Sequence, residues 1–595
     1  MPKLAHSKNE VGVTHPLHVH LQGVANLAKG FACKVGQEDD AYLAGALHDL
    51  GKYGDLFQRR LENLEKGIDH WSAGAAIALR RYENPTVAAC ILAHHIGLSS
   101  IEDVKDSHRG HANPKDLRLS DPDFDKLFEE LQSEVEIQEP SPCQRGPKLG
   151  AVSAMLETRM LFSTLVDADY LDTESHFNSN VAGIKNYRRS GDPLRPLDAF
   201  ALLAAERERL QRSSTSSQEV QQVRDALWDA CTTTSSPLGL YTLTGATGSG
   251  KTLAMLGFAL QHAQQHGLDR VILAVPYLSI TEQTTAIYRR IFEEHFGREY
   301  VLEHHSLVDP SRRGNPDSDD KRLKTLTENW DAPLVITTNV QILESMFSNK
   351  PGRCRKLHRL ANSVIVFDEA QTLPAQVVLP TLVALSYLSQ RYKSSVVFST
   401  ATQPAFELLH QEVATKESHE RGWGGARGSL PHPGWCPQEI VPDSLGLSSK
   451  LRRVNVLWDT TPKTWGDVAQ TLLKHRQALC IVNLRKHAHE LAVIVQALGG
   501  INLFHISTNM SIAHRRCVLD RVRSLLSAGD PCILVSTQCI EAGVDLDFPF
   551  GMRAKAPLES IAQAAGRVNR NGTKGVCDMV VFVPEDGGYP SDRYE

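Results

Sequence analysis

The sequence predicts a multidomain protein, with an all-α domain followed by two α/β lobes that each contain a parallel sheet. From Pro16 to about Leu210, apolar residues recur at helical spacing, as in Val24, Leu27, Ala28 and Phe31. Beyond this segment, short apolar strands alternate with helical stretches, an alternation typical of parallel sheets. A length of 595 residues is enough for roughly three to four domains with their own cores.

Changes in composition predict where the domains meet. The serine-rich Ser213 to Gln218 is a plausible linker, and Ser418 to Leu445 clusters glycine, proline and tryptophan. We therefore expect the all-α domain over 1–212, the first lobe over 213–415, an irregular connector over 416–450 and the second lobe over 451–595. The polar, proline-containing stretch from about Ser99 to Lys148 is interpreted as an insertion or long loop.

The two lobes are predicted from their strands. The first lobe has GLYTLTG, RVILAVP, PLVITTN, SVIVFDEA and SSVVFSTAT, and the second has VNVLW, ALCIVN, NLFHIS, CILVS and DMVVFV. Each run is short, apolar and rich in β-branched residues, as expected of buried parallel strands.

Composition excludes several protein classes. Charged residues make up 22% and hydrophobic residues 41%, and the mean hydropathy is -0.26, which is typical of a soluble globular chain. The sequence has neither an apolar run long enough to span a membrane nor the apolar core of a signal peptide at its start. Eleven cysteines without a CxxC pair favour a reducing cytoplasm. With a net charge of -5, nucleic-acid binding would need local grooves.

A glycine-rich loop predicts nucleotide binding. The segment GATGSGKT follows an apolar strand and opens a helix, which is the context that a P-loop requires. Its backbone amides would surround the phosphates, Lys251 would hold the β and γ phosphates, and Thr252 would bind Mg²⁺. The loop residues expected to bind ATP are Gly245, Thr247, Gly248, Gly250, Lys251 and Thr252.

A second acidic motif supports this prediction. Asp368-Glu369-Ala370-Gln371 ends the strand SVIVF about 120 residues after the P-loop. Asp368 is suited to position Mg²⁺ and Glu369 to polarise the attacking water, although such a pair alone more often caps a helix. Thr400-Ala401-Thr402 ends the next strand and is placed to couple this site to motion.

Histidine is unevenly distributed. Ten of the 25 histidines fall within the first 111 residues, namely His6, His15, His18, His20, His48, His70, His94, His95, His108 and His111. Several of them end apolar helical runs, where an imidazole or a carboxylate is costly to bury unless it is paired or bound to metal. Taken together, the set predicts two metal ions bridged by Asp49, with ligands His20, His48, Asp49, His70, His94, His95 and Asp167.

This ligand set predicts which metals bind. It is richer in imidazole than in oxygen, which favours Mn, Fe, Co or Ni over Mg²⁺. Lys52 lies four residues after His48, on the same face of the predicted helix, and is expected to steady the scissile phosphate; a solvated lysine is the alternative.

The α/β part resembles the superfamily 2 helicases. Beyond the P-loop and DEAQ, PYLSITEQ resembles motif Ia, TTN motif Ib, STQCIEAGVD motif V and QAAGRVNR motif VI. The resemblance implies RecA-like lobes, Arg567 and Arg570 as arginine fingers, and further ATP-site residues in motif II and motif V, namely Gln371, Gly543 and Asp545. It also implies phosphate contacts along one DNA strand by Ser279, Gln283, Thr338, Asn339 and Thr537.

The N-terminal part resembles the HD phosphohydrolase superfamily, through HDLGKYGDLFQ, DHWSAG and VDADYLDTE. An HD domain ahead of such a helicase is similar to the CRISPR-associated helicase–nucleases of type I systems, and the motifs are most similar to subtype I-C. The resemblance implies an ATP- and Mg²⁺-dependent 3′-to-5′ translocase on single-stranded DNA that feeds its strand to the HD nuclease. It further implies recruitment by R-loop-bound Cascade, the surveillance complex that contains the CRISPR RNA and a large subunit, and we expect a monomer.

Two features depart from the family pattern. Motif II reads DEAQ rather than DEAH, and the sequence ends about 25 residues after Arg570, so the family's accessory C-terminal domain is expected to be missing. Two other functions stay open at this point: a nucleotide-level HD phosphohydrolase regulated by ATP, and an ATP-gated binding platform with an inactive HD site.

Overall fold

The structure is a computed structural model that describes residues 2–99, 117–138, 151–233, 235–305, 318–419, 434–541 and 544–587. Its N-terminal domain is helical, as predicted. The helices are α1 Leu17–Ala32, α2 Glu38–Leu47, α3 Asp55–Leu61, α4 Ser72–Arg80, α5 Pro85–Ala93, α6 Phe124–Glu134 and α7 Ala151–Phe177. The central α1 buries Leu21, Val24 and Ala28 against α2 and α7, which accounts for the helical spacing of its apolar residues.

Two details of this domain differ from the prediction. Two short strand pairs occur within it: β1 Leu4–His6 with β2 His15–Pro16, and β3 Ile68–Asp69 with β4 Arg118–Leu119. The stretch predicted to be an insertion or loop contains α6, which buries Leu127, Phe128 and Leu131 in the domain core. This helix was missed because polar and charged residues surround its four apolar positions. Residues 100–116 and 139–150 of that stretch lie outside the described ranges.

The first lobe contains a seven-stranded parallel sheet in the order β11-β5-β10-β9-β6-β8-β7. The strands are β5 Leu240–Thr244, β6 Arg270–Val275, β7 Val301–His304, β8 Leu334–Thr338, β9 Ser363–Asp368, β10 Ser395–Thr400 and β11 Gln438–Glu439. The five predicted strands are present, and β7 and β11 at the sheet edges were not predicted. The helices after α7 that accompany this sheet are α8 Pro196–Arg212, α9 Gln218–Thr233, α10 Lys251–His266, α11 Leu278–Phe296, α12 Ser318–Asn329, α13 Asn339–Phe347, α14 Pro351–Cys354, α15 Ala375–Arg391, α16 His410–His419 and α17 Leu447–Lys450.

Packing moves two of the predicted boundaries. Helix α8, assigned to the all-α domain, buries Ala199 and Leu203 in the core of the first lobe, against α10. The connector predicted over 416–450 contributes β11, whose Glu439 accepts hydrogen bonds from the backbone and hydroxyl of Thr244. The first lobe therefore extends over both flanks that the sequence assigned elsewhere.

The second lobe contains a six-stranded parallel sheet in the order β12-β17-β16-β13-β15-β14. Its strands are β12 Val454–Lys463, β13 Gln477–Ile481, β14 Leu503–Ile506, β15 Cys532–Ser536, β16 Gly551–Ala554 and β17 Cys577–Pro584. The helices are α18 Trp465–Leu473, α19 Arg485–Ala497, α20 Ile512–Ala528 and α21 Leu558–Ala565. The unpredicted β16 reads GMRA, which is too short and too polar to be recognised as a strand.

The helical domain is packed firmly against the first lobe. Helix α7 contacts α14, α15 and the turn Leu357–Leu360, and the two apolar cores are continuous. Just after α5, the amide of Leu98 donates to the carbonyl of Asn349, 3.0 Å away, in the loop that follows α13. Gly97 has φ +94°, and a Cβ there would lie 2.6 Å from that same carbonyl oxygen. Glycine is thus required for this close approach.

Among the described residues, none of the helices combines the length and apolarity that crossing a bilayer requires.

Candidate functional site

Six of the seven predicted metal ligands converge in the helical domain. They come from α1 (His20), the end of α2 (His48 and Asp49), the residue after β3 (His70) and the end of α5 (His94 and His95). The side chains of these residues are buried, except for the exposed His95. His108 and His111 lie outside the described residues. The prediction that apolar helical runs end in one shared polar cluster agrees with this placement.

Asp49 lies at the centre of the cluster. Its Oδ1 is 3.4 Å from His70 Nε2 and 3.5 Å from His94 Nε2. Its Oδ2 is 3.3 Å from His48 Nε2 and 3.4 Å from His20 Nε2. One carboxylate thus faces two separate groups of imidazoles, one with each oxygen. His95 joins the first group, with its Nε2 2.9 Å from His70 Nε2.

Four histidines are oriented by hydrogen bonds at Nδ1. His48 Nδ1 faces the carbonyl of Gly45 at 2.8 Å, and His94 Nδ1 faces that of Ile91 at 2.6 Å. His70 Nδ1 lies 3.4 Å from the Ile68 carbonyl, and His20 Nδ1 lies 2.8 Å from the carboxylate of Asp172. When the proton of each ring is on Nδ1, Nε2 is the nitrogen that a metal ion beside Asp49 would bind.

The seventh predicted ligand, Asp167, lies elsewhere, and the cluster contains Asp169 in its place. Asp167 is fully buried at the contact with the first lobe, where it accepts hydrogen bonds from Arg355 and Asn329, each at 3.0 Å. Asp169 Oδ1 lies 3.6 Å from Nε2 of both His20 and His48. Residues two apart on a helix point to nearly opposite sides, so only one of these two aspartates can face the cluster.

Asp172 also supports the site, and the sequence reasoning missed it. Besides His20, it accepts hydrogen bonds from Lys185 Nζ at 2.6 Å and the Tyr187 hydroxyl at 2.5 Å. It is fully buried, and these partners hold its pKa at about 2 against the opposing effect of burial. Its spacing of three from Asp169 places both on one helix face, and this was the signal available in the sequence.

Lys52 is placed differently from the prediction. Helix α2 ends at Leu47, and Lys52 lies in a separate 3₁₀ turn, Leu50–Tyr53. The side chain is 5% exposed, and its Nζ is 2.6 Å from Asp49 Oδ2. The alternative of a solvated lysine is therefore wrong, and the ammonium group lies directly at the cluster.

Charge in the cluster is unevenly balanced. Burial lowers the pKa of His48, but the carboxylates of Asp49 and Asp169 outweigh it and raise the pKa to about 10. Burial raises the pKa of Asp49, but Lys52 and His48 outweigh it and hold the pKa well below its usual range. Burial lowers the pKa of His70 well below its usual value. The carboxylates of Asp49 and Asp169 therefore favour positive charge within the cluster.

The donor set fits divalent transition metals. The Nε2 atoms of His20, His48 and His94 and Oδ1 of Asp49 are buried, and none has a hydrogen-bond partner among the described residues. Leaving such atoms unsatisfied costs about 1–3 kcal/mol each, whereas metal ligation would satisfy them. Asp49 with His70, His94 and His95, and Asp49 with His20 and His48, each bring their ligand atoms within 4.8 Å of one another.

The P-loop forms one wall of a cleft of about 300 Å³ between the two lobes. Thr247, Gly248, Gly250, Lys251 and Thr252 line the cleft. Gly248 and Gly250 have φ of +85° and +88°, which glycine adopts without strain, and α10 begins at Lys251. Lys251 Nζ is buried and has no hydrogen-bond partner among the described residues, as expected of a group whose partner would be a bound phosphate. Gly245 begins the loop, and its amide donates to the carbonyl of Thr400.

The DEAQ motif is connected to the strand that ends in Thr400. Gln371 Nε2 donates to Glu369 at 2.8 Å, and its Oε1 accepts from the Thr400 hydroxyl at 2.5 Å. Asp368 accepts from Ser399 at 3.0 Å, and burial together with Glu369 raises the pKa of Asp368 to about 6. Glutamine therefore bridges motif II and the predicted coupling segment through both ends of its amide.

The second lobe closes the cleft with Arg567 and Arg570. Both line the same cleft as Lys251 and Asp368. Arg567 donates to the backbone carbonyls of Ile540 and Glu541 in motif V, and burial lowers its pKa to about 9. Arg570 pairs with Asp545 at 2.7 Å.

Gly566 permits this closure. A Cβ at Gly566 would lie 2.6 Å from the side chain of Thr247, so motif VI approaches the P-loop as closely as glycine allows. Arg453, which precedes β12, also donates to the carbonyl of Thr247 across the lobes.

The residues predicted to contact DNA differ in exposure and in the contacts that they already make. Gln283 is exposed and lines the cleft between the lobes. Thr338 is buried and caps α13, Asn339 is buried and donates to Thr372, and Thr537 is buried beside Cys539. These three side chains are thus engaged within the protein. Gly543 and the side chain of Ser279 lie outside what the structure describes.

Comparison with known families gives three matches in order along the chain. Residues 17–122 match the HD domain, residues 221–409 the DEAD/DEAH box helicase, and residues 474–573 the C-terminal segment of CRISPR-associated nuclease/helicase Cas3. The first match contains the imidazole cluster, and the other two contain the opposite walls of the cleft.

Two curated relatives are also similar. The CRISPR-associated nuclease/helicase Cas3 of Haloferax volcanii is 26% identical over 419 residues, which are 56% of this chain and 44% of that protein. A putative Cas3 of Methanocaldococcus jannaschii is 24% identical over 348 residues, 55% of this chain and 43% of that protein. The matched regions thus span less than half of each relative.

Solved structures share the fold over nearly the whole chain. The T. fusca Cas3 crystal structure has a TM-score of 0.67 at 18% identity, covering 98% of this chain and 75% of that one. A chain in a CRISPR RNA-guided surveillance complex, pre-nicking, has a TM-score of 0.60 at 18% identity, covering 99% and 75%. These findings confirm the resemblance drawn from the sequence, although not its subtype: along the chain an HD domain is followed by a DEAD/DEAH box helicase segment and by a segment similar to the C-terminal part of Cas3.

Proposed function

We propose that this chain is an ATP-driven 3′-to-5′ translocase on single-stranded DNA, and that its HD centre cuts the strand it moves. The proposed role is degradation of invader DNA in type I CRISPR interference, in the cytoplasm, after recruitment by Cascade. The observation that carries the proposal is Asp49, whose two oxygens face two imidazole groups in a domain packed onto an ATP-binding lobe.

In the proposed nuclease centre, His20, His48 and Asp169 would hold one divalent ion, His70, His94 and His95 would hold the other, and Asp49 would be a ligand of both. Such a pair supplies an activated water and stabilises the leaving oxygen of a phosphodiester. Asp172 keeps the Nδ1 proton on His20 and so directs Nε2 to the ion. The Lys52 ammonium, held at Asp49, is placed to bind the scissile phosphate.

In the proposed motor, the P-loop amides and Lys251 bind the phosphates of ATP, and Thr252 and Asp368 bind its Mg²⁺. Glu369 orients the attacking water, and Gln371 keeps that carboxylate in place through its own hydrogen bond. Arg567 and Arg570 approach from the other lobe and stabilise the charge that develops on the transferred phosphoryl group.

The junction between the domains favours delivery of a strand from the motor to the nuclease centre. His94 and His95 are followed by Gly97 and Leu98, which contact the loop after α13, and α13 begins with the motif Ib residue Asn339. Motif Ib and the residues that follow His94 and His95 thus lie at opposite ends of the same short helix, α13, along which a strand would have to pass.

The net charge of the chain supports dependence on a partner for choosing the DNA target. A chain of net charge -5 that contacts mainly the DNA backbone has little means of choosing a duplex sequence. We expect base pairing in a guide-bearing partner to make that choice, with Cascade presenting the R-loop.

The test is degradation of circular single-stranded DNA by the purified chain with Mn²⁺, Ni²⁺, Co²⁺ or Fe²⁺ compared with Mg²⁺, with and without ATP. We expect cleavage with the transition metals and better activity than with Mg²⁺. The Asp49→Ala variant should lose cleavage and keep DNA-stimulated ATP hydrolysis, whereas the exposed Asp55→Ala control should keep both. Full cleavage in Mg²⁺ alone by a protein free of transition metal would overturn the two-metal centre. ATP hydrolysis that DNA does not stimulate would favour the nucleotide-level phosphohydrolase instead.

A further inference from the structure

A second group of imidazoles lies beside the proposed metal pair, outside the predicted ligand set. The antiparallel strands β1 and β2 place His6 directly opposite His15. Both rings contact His20, with ring centroids 4.8 and 5.2 Å from its own. One ring nitrogen from each of His6, His15 and His20 lies within 4.8 Å of the other two.

His15 is unsatisfied. It is 2% exposed, and neither Nδ1 nor Nε2 has a hydrogen-bond partner among the described residues. The nearest carboxylate oxygen, Asp172 Oδ2, is 3.5 Å from Nε2 and is already paired with His20 Nδ1. Lys185 and Tyr187 donate to the other oxygen of Asp172. A buried imidazole without partners costs about 1–3 kcal/mol per polar atom, so the structure implies an occupant that His15 can bind.

A neutral imidazole offers one ring-nitrogen lone pair to a cation, and imidazole is the commonest protein ligand of transition metals. Nε2 of His6 also lies 3.2 Å from the hydroxyl of Thr173, whereas neither ring nitrogen of His15 has a hydrogen-bond partner among the described residues.

We propose that His6 and His15, next to His20, hold a third divalent transition-metal ion. The single lone pair of His20 serves the proposed pair, because its Nδ1 faces Asp172 and its Nε2 faces Asp49. His6 and His15 are therefore the protein ligands of the third ion, and water completes its shell. Donors that are all imidazole favour Co²⁺, Ni²⁺, Cu²⁺ or Zn²⁺ over Mg²⁺. The inference rests on the proposed function only in counting this ion as the third.

The test is equilibrium dialysis of the metal-stripped full chain against Co²⁺, without nucleotide, with cobalt per chain measured by mass spectrometry. We expect about three ions in the wild type and about two in His6→Ala and in His15→Ala, with a matching loss of cobalt absorption. His18→Ala is the matched control, because this histidine lies in the same segment with a side chain 37% exposed, and it should keep the wild-type count. Since His6 is partly exposed at a strand, His6→Ala decides the matter if His15→Ala fails to fold.

A wild type that saturates at two ions, or histidine variants that keep the wild-type count, would overturn the third site and leave water as the occupant. A wild type that binds one ion, lost in His6→Ala but kept in Asp49→Ala, would support the new site and refute the proposed pair. The two failures are therefore distinguishable.

Discussion

Two single variants, Asp167→Asn and Asp169→Asn, distinguish the contribution to domain docking from the contribution to metal binding. Asp167 is fully buried against Arg355, which is itself 4% exposed, and breaking such a buried ion pair costs about 3–5 kcal/mol. Arg355 keeps a second partner, Glu328 at 3.1 Å, and asparagine retains one acceptor oxygen. We therefore expect Asp167→Asn to lower the free energy of unfolding by about 2–3 kcal/mol, less than the full cost of the broken pair.

The assay combines thermal unfolding with metal analysis of the purified proteins. For a domain of about 150–250 residues, that loss of stability corresponds to a melting temperature lower by roughly 4–12 °C. The metal content should be unchanged. Asp169→Asn should show the opposite result, with less bound metal and little change in melting. Asp125→Asn is the control, because its exposed pair with Arg81 contributes about 0–1 kcal/mol. If Asp167→Asn lost metal and melted like the wild type, the assignment of these two aspartates would be reversed.

Three further predictions concern the motor and its partner. Lys251→Ala should abolish ATP hydrolysis but leave metal-dependent cleavage of free single strands, and loss of that cleavage in a folded variant would refute the separation of the two centres. Gln371→Ala removes the bridge between Glu369 and Thr400, so DNA stimulation of ATP turnover should fall several-fold while nucleotide binding, measured by fluorescent ATP, is retained; unchanged stimulation would rule out this coupling. The isolated chain should barely cut intact relaxed duplex and should cut near an R-loop when Cascade is added, which a gel-based cleavage assay checks; efficient site-selective cutting by the chain alone would contradict this.

The sequence was most informative where burial makes polar residues costly. His48, His94 and Asp49 end apolar helices, and such residues are kept in a core only when something binds them. The P-loop and DEAQ motifs were recognised because each follows an apolar strand. Parallel strands bring their carboxyl ends to one edge of the sheet, so the two motifs meet there. These features follow from local pattern alone.

The sequence could not predict which way a side chain on a helix faces, or which strands pair through contacts distant in sequence. In VDADYLDTE, both Asp167 and Asp169 follow an apolar run, and only the packing of α7 determines which one faces the cluster. The two edge strands β7 and β11 are short, and their pairing is decided by the sheet that they join rather than by their own composition. Lys52 was misplaced because α2 stops at Leu47, and nothing in HDLGK marks that end.

The tight contact between Gly97 and Asn349 has a consequence for how fragments would be made. It joins the proposed nuclease centre to the first lobe. On the proposed function, the nuclease centre therefore stays fixed relative to the first lobe while the second lobe moves the strand past it. The interval between successive cuts would then be set by how far the strand advances per ATP relative to the rate of cleavage. Fragment length becomes a kinetic ratio, and we expect slower ATP turnover at constant metal concentration to shorten the fragments.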